Sequence, residues 1–152
     1  MNEMVVPVDP GELRDGELIL EMTEFAMHRW NKVPTYFFRM VSAESREELG
    51  HINLRVGSTV HVERYGGHIG FDVAPEHRGR RFAARATRLL IPLAKQLGLD
   101  PLWITCDPEN TGSRRTCELA WAEFVEIVEV PADCCIFQSG HPRKCRYRLA
   151  TG

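Results

Sequence analysis

The stretch His68–Leu90, "HIGFDVAPEHRGRRFAARATRLL", changes its hydrophobic period halfway along. Up to Val73 the period is two: Ile69, Phe71 and Val73 share one face and His68, Gly70 and Asp72 the other, the alternation of a strand. From Phe82 onward the apolar residues Phe82, Ala86, Leu89, Leu90, Leu93 and Leu97 recur at helical spacing, and Gly98 supplies a C-terminal stop. A strand therefore feeds a helix through a turn carrying Gly79 and three arginines. Counting Arg78, Arg80, Arg81, Arg85 and Arg88, five arginines fall within eleven residues of a chain whose net charge is only -2. Two readings of that charge stand. Arginine is a good helix former whose stem covers apolar surface while the guanidinium stays in water. The other reading is a phosphate cradle, because the first N–H groups of a helix are free and its dipole is positive there. Pro92 lies inside the helical pattern, where proline costs about 3 kcal/mol, so a bend is expected.

Working outward, "YFFRMV" (Tyr36–Val41) and "ELGHINLRV" (Glu48–Val56) alternate as strands, the latter setting Gly50, Ile52, Leu54 and Val56 against His51, Asn53 and Arg55. Leu18–Trp30 fits both periods and reads as a strand running into a turn or short helix. Downstream, "PLWITC" (Pro101–Cys106) is a short buried strand. "DPEN" then offers Asp107 as N-cap and Pro108 at the first helical position, predicting a helix from Pro108 to about Ala120. "EFVEIVEV" (Glu123–Val130) and "CRYRL" (Cys145–Leu149) are further strands, separated by the loop "PADCCIFQSGHPRK". Antiparallel hairpins followed by a central βαβ crossover give an α/β (α+β) fold: a mixed, mostly antiparallel sheet with helices packed on both faces. No repeat or linker divides the chain, so residues 1–152 form one domain.

With 152 residues, 43% hydrophobic and 26% charged, the chain can build a core without a metal or disulfide. The slightly acidic balance argues against a general nucleic-acid or anionic-membrane binder. No apolar run approaches a membrane span, and Met1–Asp9 lacks the basic start and apolar centre of a signal peptide, so the expected location is cytoplasmic. Five cysteines, an odd number with Cys134 and Cys135 adjacent, suit reduced thiols. Cys134, Cys135, His141 and Cys145 form a CC-x5-H-x3-C group, but without the paired CxxC spacing of a zinc turn; buried and loop thiols are the alternative, and no metal is expected.

The segment "VAPEHRGRRFAARATRLL" resembles the acetyl-CoA signature of the GNAT N-acetyltransferase superfamily, V-x-P-x-x-R-G-x-G-x-G/A. "PENTGSRRTCELAWAEF" is similar to that family's N-x-x-[AS]-x-x-[LF]-Y-x-x-x-G-F segment, in the usual order and separation. The resemblance spans about Tyr65 to Val130. It implies that the turn Arg78, Gly79, Arg80, Arg81, Phe82 and Ala83 holds the pyrophosphate of CoA, with Ala83 at the final small position. It further implies that Val73 lends backbone groups to the pantetheine arm and the acetyl carbonyl, and that Asn110 and Ser113 meet the pantetheine in a gap between splayed strands.

The departures from the pattern are specific. Arg81 stands at the middle glycine, where it either donates to a phosphate or holds a backbone conformation that arginine tolerates poorly. Trp121 replaces the glycine that ends the helix, and Cys117 replaces a tyrosine. Few residues separate the first two strands, so the helices that cover the acceptor look shortened, leaving an open site or one completed by a second copy in a homodimer. His68 is the candidate base, since histidine titrates near neutrality, or else a structural strand histidine; Glu63 and His51 are weaker candidates. Cys117 is the candidate acid for the departing thiolate, or else buried packing. The expected function is transfer of an acetyl group from acetyl-CoA to a primary amine in a ternary complex; the alternative is a CoA-binding regulatory domain without transfer. The amine itself is not identified by the sequence.

Overall fold

In β3 (Pro34–Ser42) and β4 (Glu48–Arg55), alternation places Tyr36, Phe38 and Met40 on the buried face, opposite Leu54, Ile52 and Gly50 in antiparallel register. The computed structural model describes residues 7–152. Around that pair, β1 (Leu13–Asp15), β2 (Leu18–Met27) and β5 (Ile69–Val73) complete a five-stranded antiparallel sheet in the order β1-β2-β3-β4-β5. The other sheet has three strands in the order β6-β8-β7: β6 (Leu102–Cys106), β7 (Glu123–Glu129) and β8 (Arg143–Leu149). The β5–α1–β6 crossover joins the two, α1 being Phe82–Gln96.

The ambiguous segment Leu18–Trp30 is a strand running into a turn, as expected: β2 runs to Met27 with a bulge between Met22 and Glu24, and a turn follows from residue 29. Only residues 28–33 then connect β2 to β3, so no helix of this connection covers the sheet. His28 braces that short turn, its Nδ1 accepting the Trp30 and Asn31 N–H groups, each at 3.0 Å.

Helix α1 buries Phe82, Ala86, Leu90 and Leu93 in one core with Leu18, Ile52, Leu54, Leu102 and Ile104. That apolar stripe outweighs the lost hydrogen bond at Pro92, and the helix continues through it. Gly98 adopts φ 77° and ends the helix as expected. α2 (Thr111–Leu119) begins later than expected, because Asn110, not Asp107, is its N-cap: the Asn110 side chain accepts from Ser113 N–H at 3.0 Å. α1 and α2 pack against each other on one side, while β6 and β8 are met on the other by a π-helical turn, Val62–Gly66. Gly67 permits that approach, since a Cβ there would sit 3.0 Å from the Trp103 carbonyl oxygen. The loop after β7 contains a one-turn helix, α3 (Cys135–Gln138).

The two sheets are joined through His68, a fully buried residue just before β5. Its N–H donates to the Trp103 carbonyl at 2.6 Å, its carbonyl accepts from Arg55 N–H at 2.7 Å, and its ring Nδ1 accepts the Trp103 N–H at 2.9 Å. Past this joint β5 and β6 pair with different neighbours and the sheet opens.

Candidate active site

Strand alternation aims backbone groups into that opening. His68 and Ala74 bond to Arg55 and Leu49 of the β4 side, so even-numbered residues of β5 face β4. The N–H and C=O groups of Phe71 and Val73 consequently point the other way, toward the gap. A cavity of about 450 Å³ lies there, bordered by Phe71, Val73, Arg78, Gly79, Arg81, Phe82, Ala83, Asn110 and Ser113. Gly79 takes φ 88°, and a Cβ on it would touch nothing within 4 Å, so backbone geometry and not crowding calls for glycine. Arg78 Nε donates to the Val73 carbonyl at 3.1 Å, fastening the turn to the strand it follows.

Arg81 caps α1 in the left-handed conformation, φ 62° and ψ 23°, without a side-chain capping bond. L-residues tolerate that region at roughly 1–2 kcal/mol. Arg81→Gly is therefore expected to raise stability by up to about 1 kcal/mol in urea melts, whereas Arg80→Gly, at a residue with ordinary φ, should lower it.

A second cavity, of about 320 Å³, continues from the first past Phe71 and Ser113, the two residues bordering both. Arg55, Tyr65, Gly70 and Thr105 are in its walls, together with His28, His141 and Lys144. His141 Nδ1 lies 2.6 Å from Asp107 Oδ2, and Lys144 Nζ lies 3.1 Å from Asp107 Oδ1. Burial opposes ionisation of Asp107, but the hydrogen bonds from His141 and Lys144 win, and the carboxyl is held below its ordinary range. An ionised Asp107 fixes the proton of His141 on Nδ1 and turns the Nε2 lone pair away from it.

The other expected residues divide. Val73, Arg78, Gly79, Arg81, Phe82, Ala83, Asn110 and Ser113 come together around the first cavity, joined by His77, Asp72, Gly112 and Thr116, which the sequence reading missed. Arg80 is exposed and outside its lining. Arg85 turns away to Asp15 and Glu17, at 2.7 and 2.9 Å, and Arg88 stacks 4.7 Å from the ring centroid of Trp121. The arginine run thus divides: Arg78 and Arg81 border the first cavity, while Arg85 and Arg88 are taken by acids and an aromatic ring.

His68 does not fit the role of base. Its Nδ1 lone pair is occupied by Trp103 N–H, its Nε2 sits 3.2 Å from Ser58 Oγ, and burial followed by the Arg55 charge lowers its pKa to about 4. Cys117 likewise leaves the site. Thr116 shares the cavity face of α2 with Ser113, and Cys117 is fully buried in the core against Cys106. The hydrogen bond with Cys106 and burial push its thiol up, so it stays protonated but out of reach of the gap. Glu63 accepts Arg146 on its carbonyl, and His51 pairs with Glu48 at 2.8 Å, both away from the two cavities. The cysteine-rich tail does not converge: Cys134 Sγ lies 3.8 Å from His61 Nδ1, His141 is taken by Asp107, and Cys145 is buried opposite Cys106.

The family model for the acetyltransferase (GNAT) domain matches residues 4–120. The chain belongs to that family. Solved structures agree in fold. A spermidine N-acetyltransferase chimera from Vibrio cholerae and hSSAT superposes with TM-score 0.64 at 14% identity, over 89% of this chain and 96% of that one. A ribosomal-protein alanine acetyltransferase from Vibrio fischeri gives TM-score 0.60 at 14% identity, over 77% and 62%. A microcin self-immunity acetyltransferase in complex with acetyl-CoA and AMP gives 0.56 at 13%, over 76% and 61%. This chain therefore spans less than two thirds of the length of the last two. No curated protein sequence matches it.

Proposed function

We propose that the chain is an acetyl-CoA-dependent N-acetyltransferase acting in a ternary complex, with the first cavity for the cofactor and the second for the amine. The observation that carries this reading is the meeting of the two cavities at Phe71 and Ser113, inside the opening between β5 and β6. The free N–H groups of the turn and of the α1 N-terminus, with Arg78 and Arg81, suit a pyrophosphate. Val73 would hold the pantetheine by its backbone, and the Phe71 N–H, which points into the gap where the cavities join, is placed to hold the thioester oxygen as charge develops. The amine must lose a proton to attack. His141, oriented by Asp107 and bordering the acceptor cavity, is the proposed proton acceptor. Its role was hidden in the sequence because Asp107 lies 34 residues away and reads as a helix cap.

No helix of the described residues is long and apolar enough to cross a membrane, and five unpaired cysteines suit a reducing cytoplasm. Removal of Cys117 from the gap favours one competing reading, a CoA-binding domain without transfer.

Binding of acetyl-CoA to the native state alone contributes RT ln(1 + [L]/Kd), about 2.7 kcal/mol at a hundredfold excess. A clear rise in melting temperature with millimolar acetyl-CoA is expected, and Arg78→Glu should raise its Kd at least tenfold while Arg88→Glu changes it little. No thermal shift would remove the cofactor reading; a shift with no CoA released across an amine panel would favour the binding domain.

A further inference from the structure

We propose that the acceptor cavity selects an amine bearing its own carboxylate, a free amino acid, with Arg55 as the anchor. This rests on the acetyltransferase reading and goes further by naming the acceptor class.

Arg55 ends β4 and lies in the wall of the acceptor cavity. Its Nη1 is used, donating to the Gly66 carbonyl at 2.6 Å and to the Gly67 carbonyl at 3.1 Å. Its Nη2 has no hydrogen-bond partner among the described residues, and its Nε is buried without one. No carboxylate of the described residues lies within ion-pairing distance of it, whereas Arg85 and Arg146 have such partners, Arg114 has a tyrosine hydroxyl and Arg88 has the Trp121 ring. A guanidinium left in this state is unusual, because a buried charge is normally paired. Burial lowers its pKa only to about 10, so it is fully charged at neutral pH.

The neighbouring groups leave that charge uncompensated. Burial, then the Arg55 charge, lowers the pKa of His28 and of His61, so both are neutral near pH 7. Asp107 is the acid on this side, and it is engaged by His141 and Lys144. With Lys144 neutralised by Asp107, Arg55 sets a positive field in a cavity that must hold an amine in its neutral form. Such a field favours loss of the amine's proton and disfavours a polycation, while a carboxylate on the acceptor would neutralise it.

Position supplies the spacing. Gly70 faces the guanidinium: a Cβ there would overlap Arg55 Nη2 and lie 3.3 Å from Asn53 Nδ2. Gly70 is thus the gap in β5 through which Arg55 meets the cavity, one residue, or about 3.3 Å, from Phe71, where acceptor and cofactor cavities join. A carboxylate on Nη2 would hold a nitrogen a few bonds away beside Phe71. That is the separation of amine and acid in an amino acid.

The test uses the intact chain with saturating acetyl-CoA and reads thiol release with the twenty L-amino acids, their amides and spermidine. At least one amino acid should react with kcat/KM a hundredfold or more above its own amide and above spermidine. Arg55→Gln should raise that amino acid's KM at least tenfold, with kcat within about threefold and acetyl-CoA affinity unchanged. Gly70→Ala keeps the arginine but pushes it off the cavity, and should reproduce the KM effect if Arg55→Gln fails to fold. Amides or spermidine used as well as the acids, no amino acid used at all, or a normal KM in the variants would overturn the anchor while acetyl-CoA binding still stands. Failure to bind acetyl-CoA would instead overturn the reading beneath it.

Discussion

His141→Ala is expected to lower kcat by about 10²-fold or more, the scale on which a positioned proton acceptor acts, without changing the affinity for acetyl-CoA. Asp107 sets the state of the imidazole. Its carboxylate is held ionised by His141 and Lys144, at 2.6 and 3.1 Å, so the imidazole keeps its proton on Nδ1 and offers Nε2. Asp107→Asn preserves the shape but can donate to Nδ1, which reverses the tautomer and should cost a comparable factor. With an established acceptor, the Asp107→Asn, His141→Ala double variant should lose no more kcat than His141→Ala alone, because Asp107 acts only through the imidazole. Additive losses, or an unchanged kcat in His141→Ala, would mean that the amine loses its proton to another group or to water.

The reach of the sequence can be judged residue by residue. Local period located β3, β4, β5, α1, β6, β7 and β8, because each buries one face and leaves the other wet. The turn between β5 and α1 was legible too, since Gly79 and Ala83 stand there in a fixed order, and both border the first cavity. Arg81 was expected to strain the backbone, and it does adopt a left-handed φ of 62°. The three-residue β1 and the one-turn α3 escaped because so few residues carry no period.

The side-chain chemistry was less legible because it depends on contacts distant in the chain. His141 was grouped with its sequence neighbours Cys134, Cys135 and Cys145, yet its partner is Asp107. Spacing from Asn110 and Ser113 alone puts Cys117 on the cavity face, but that face runs through Ser113 and Thr116, and Cys117 turns into the core. The five arginines form one cluster in sequence, and the fold disperses them to the turn before α1, the acids Asp15 and Glu17, and an aromatic ring.

His68 shows how a residue can govern a site without touching the reaction, and it sets the second large effect. Lowering the pH from 7 to 4 is expected to destabilise the protein by up to about 3 kcal/mol through this side chain, a depression from about 6.5 to about 4 at 1.36 kcal/mol per unit. The sign follows from the direction. With the folded pKa depressed, the unfolded chain binds the proton first, so the stability is fully present above pH 6.5 and is lost as pH falls through 6.5 toward 4. His28 titrates in the same window but is half exposed, and contributes less. Protonating His68 removes the lone pair that accepts Trp103 N–H, and that bond belongs to the joint from which β5 and β6 diverge. Affinity of the folded protein for acetyl-CoA should therefore hold through this range and weaken only as pH approaches about 4, where His68 takes up its proton in the native state. His68→Asn offers a non-titrating acceptor to Trp103 and should flatten the dependence of melting temperature on pH between 6.5 and 4. An unaltered slope in that variant would assign the acid sensitivity to other groups and leave His68 as packing between the sheets.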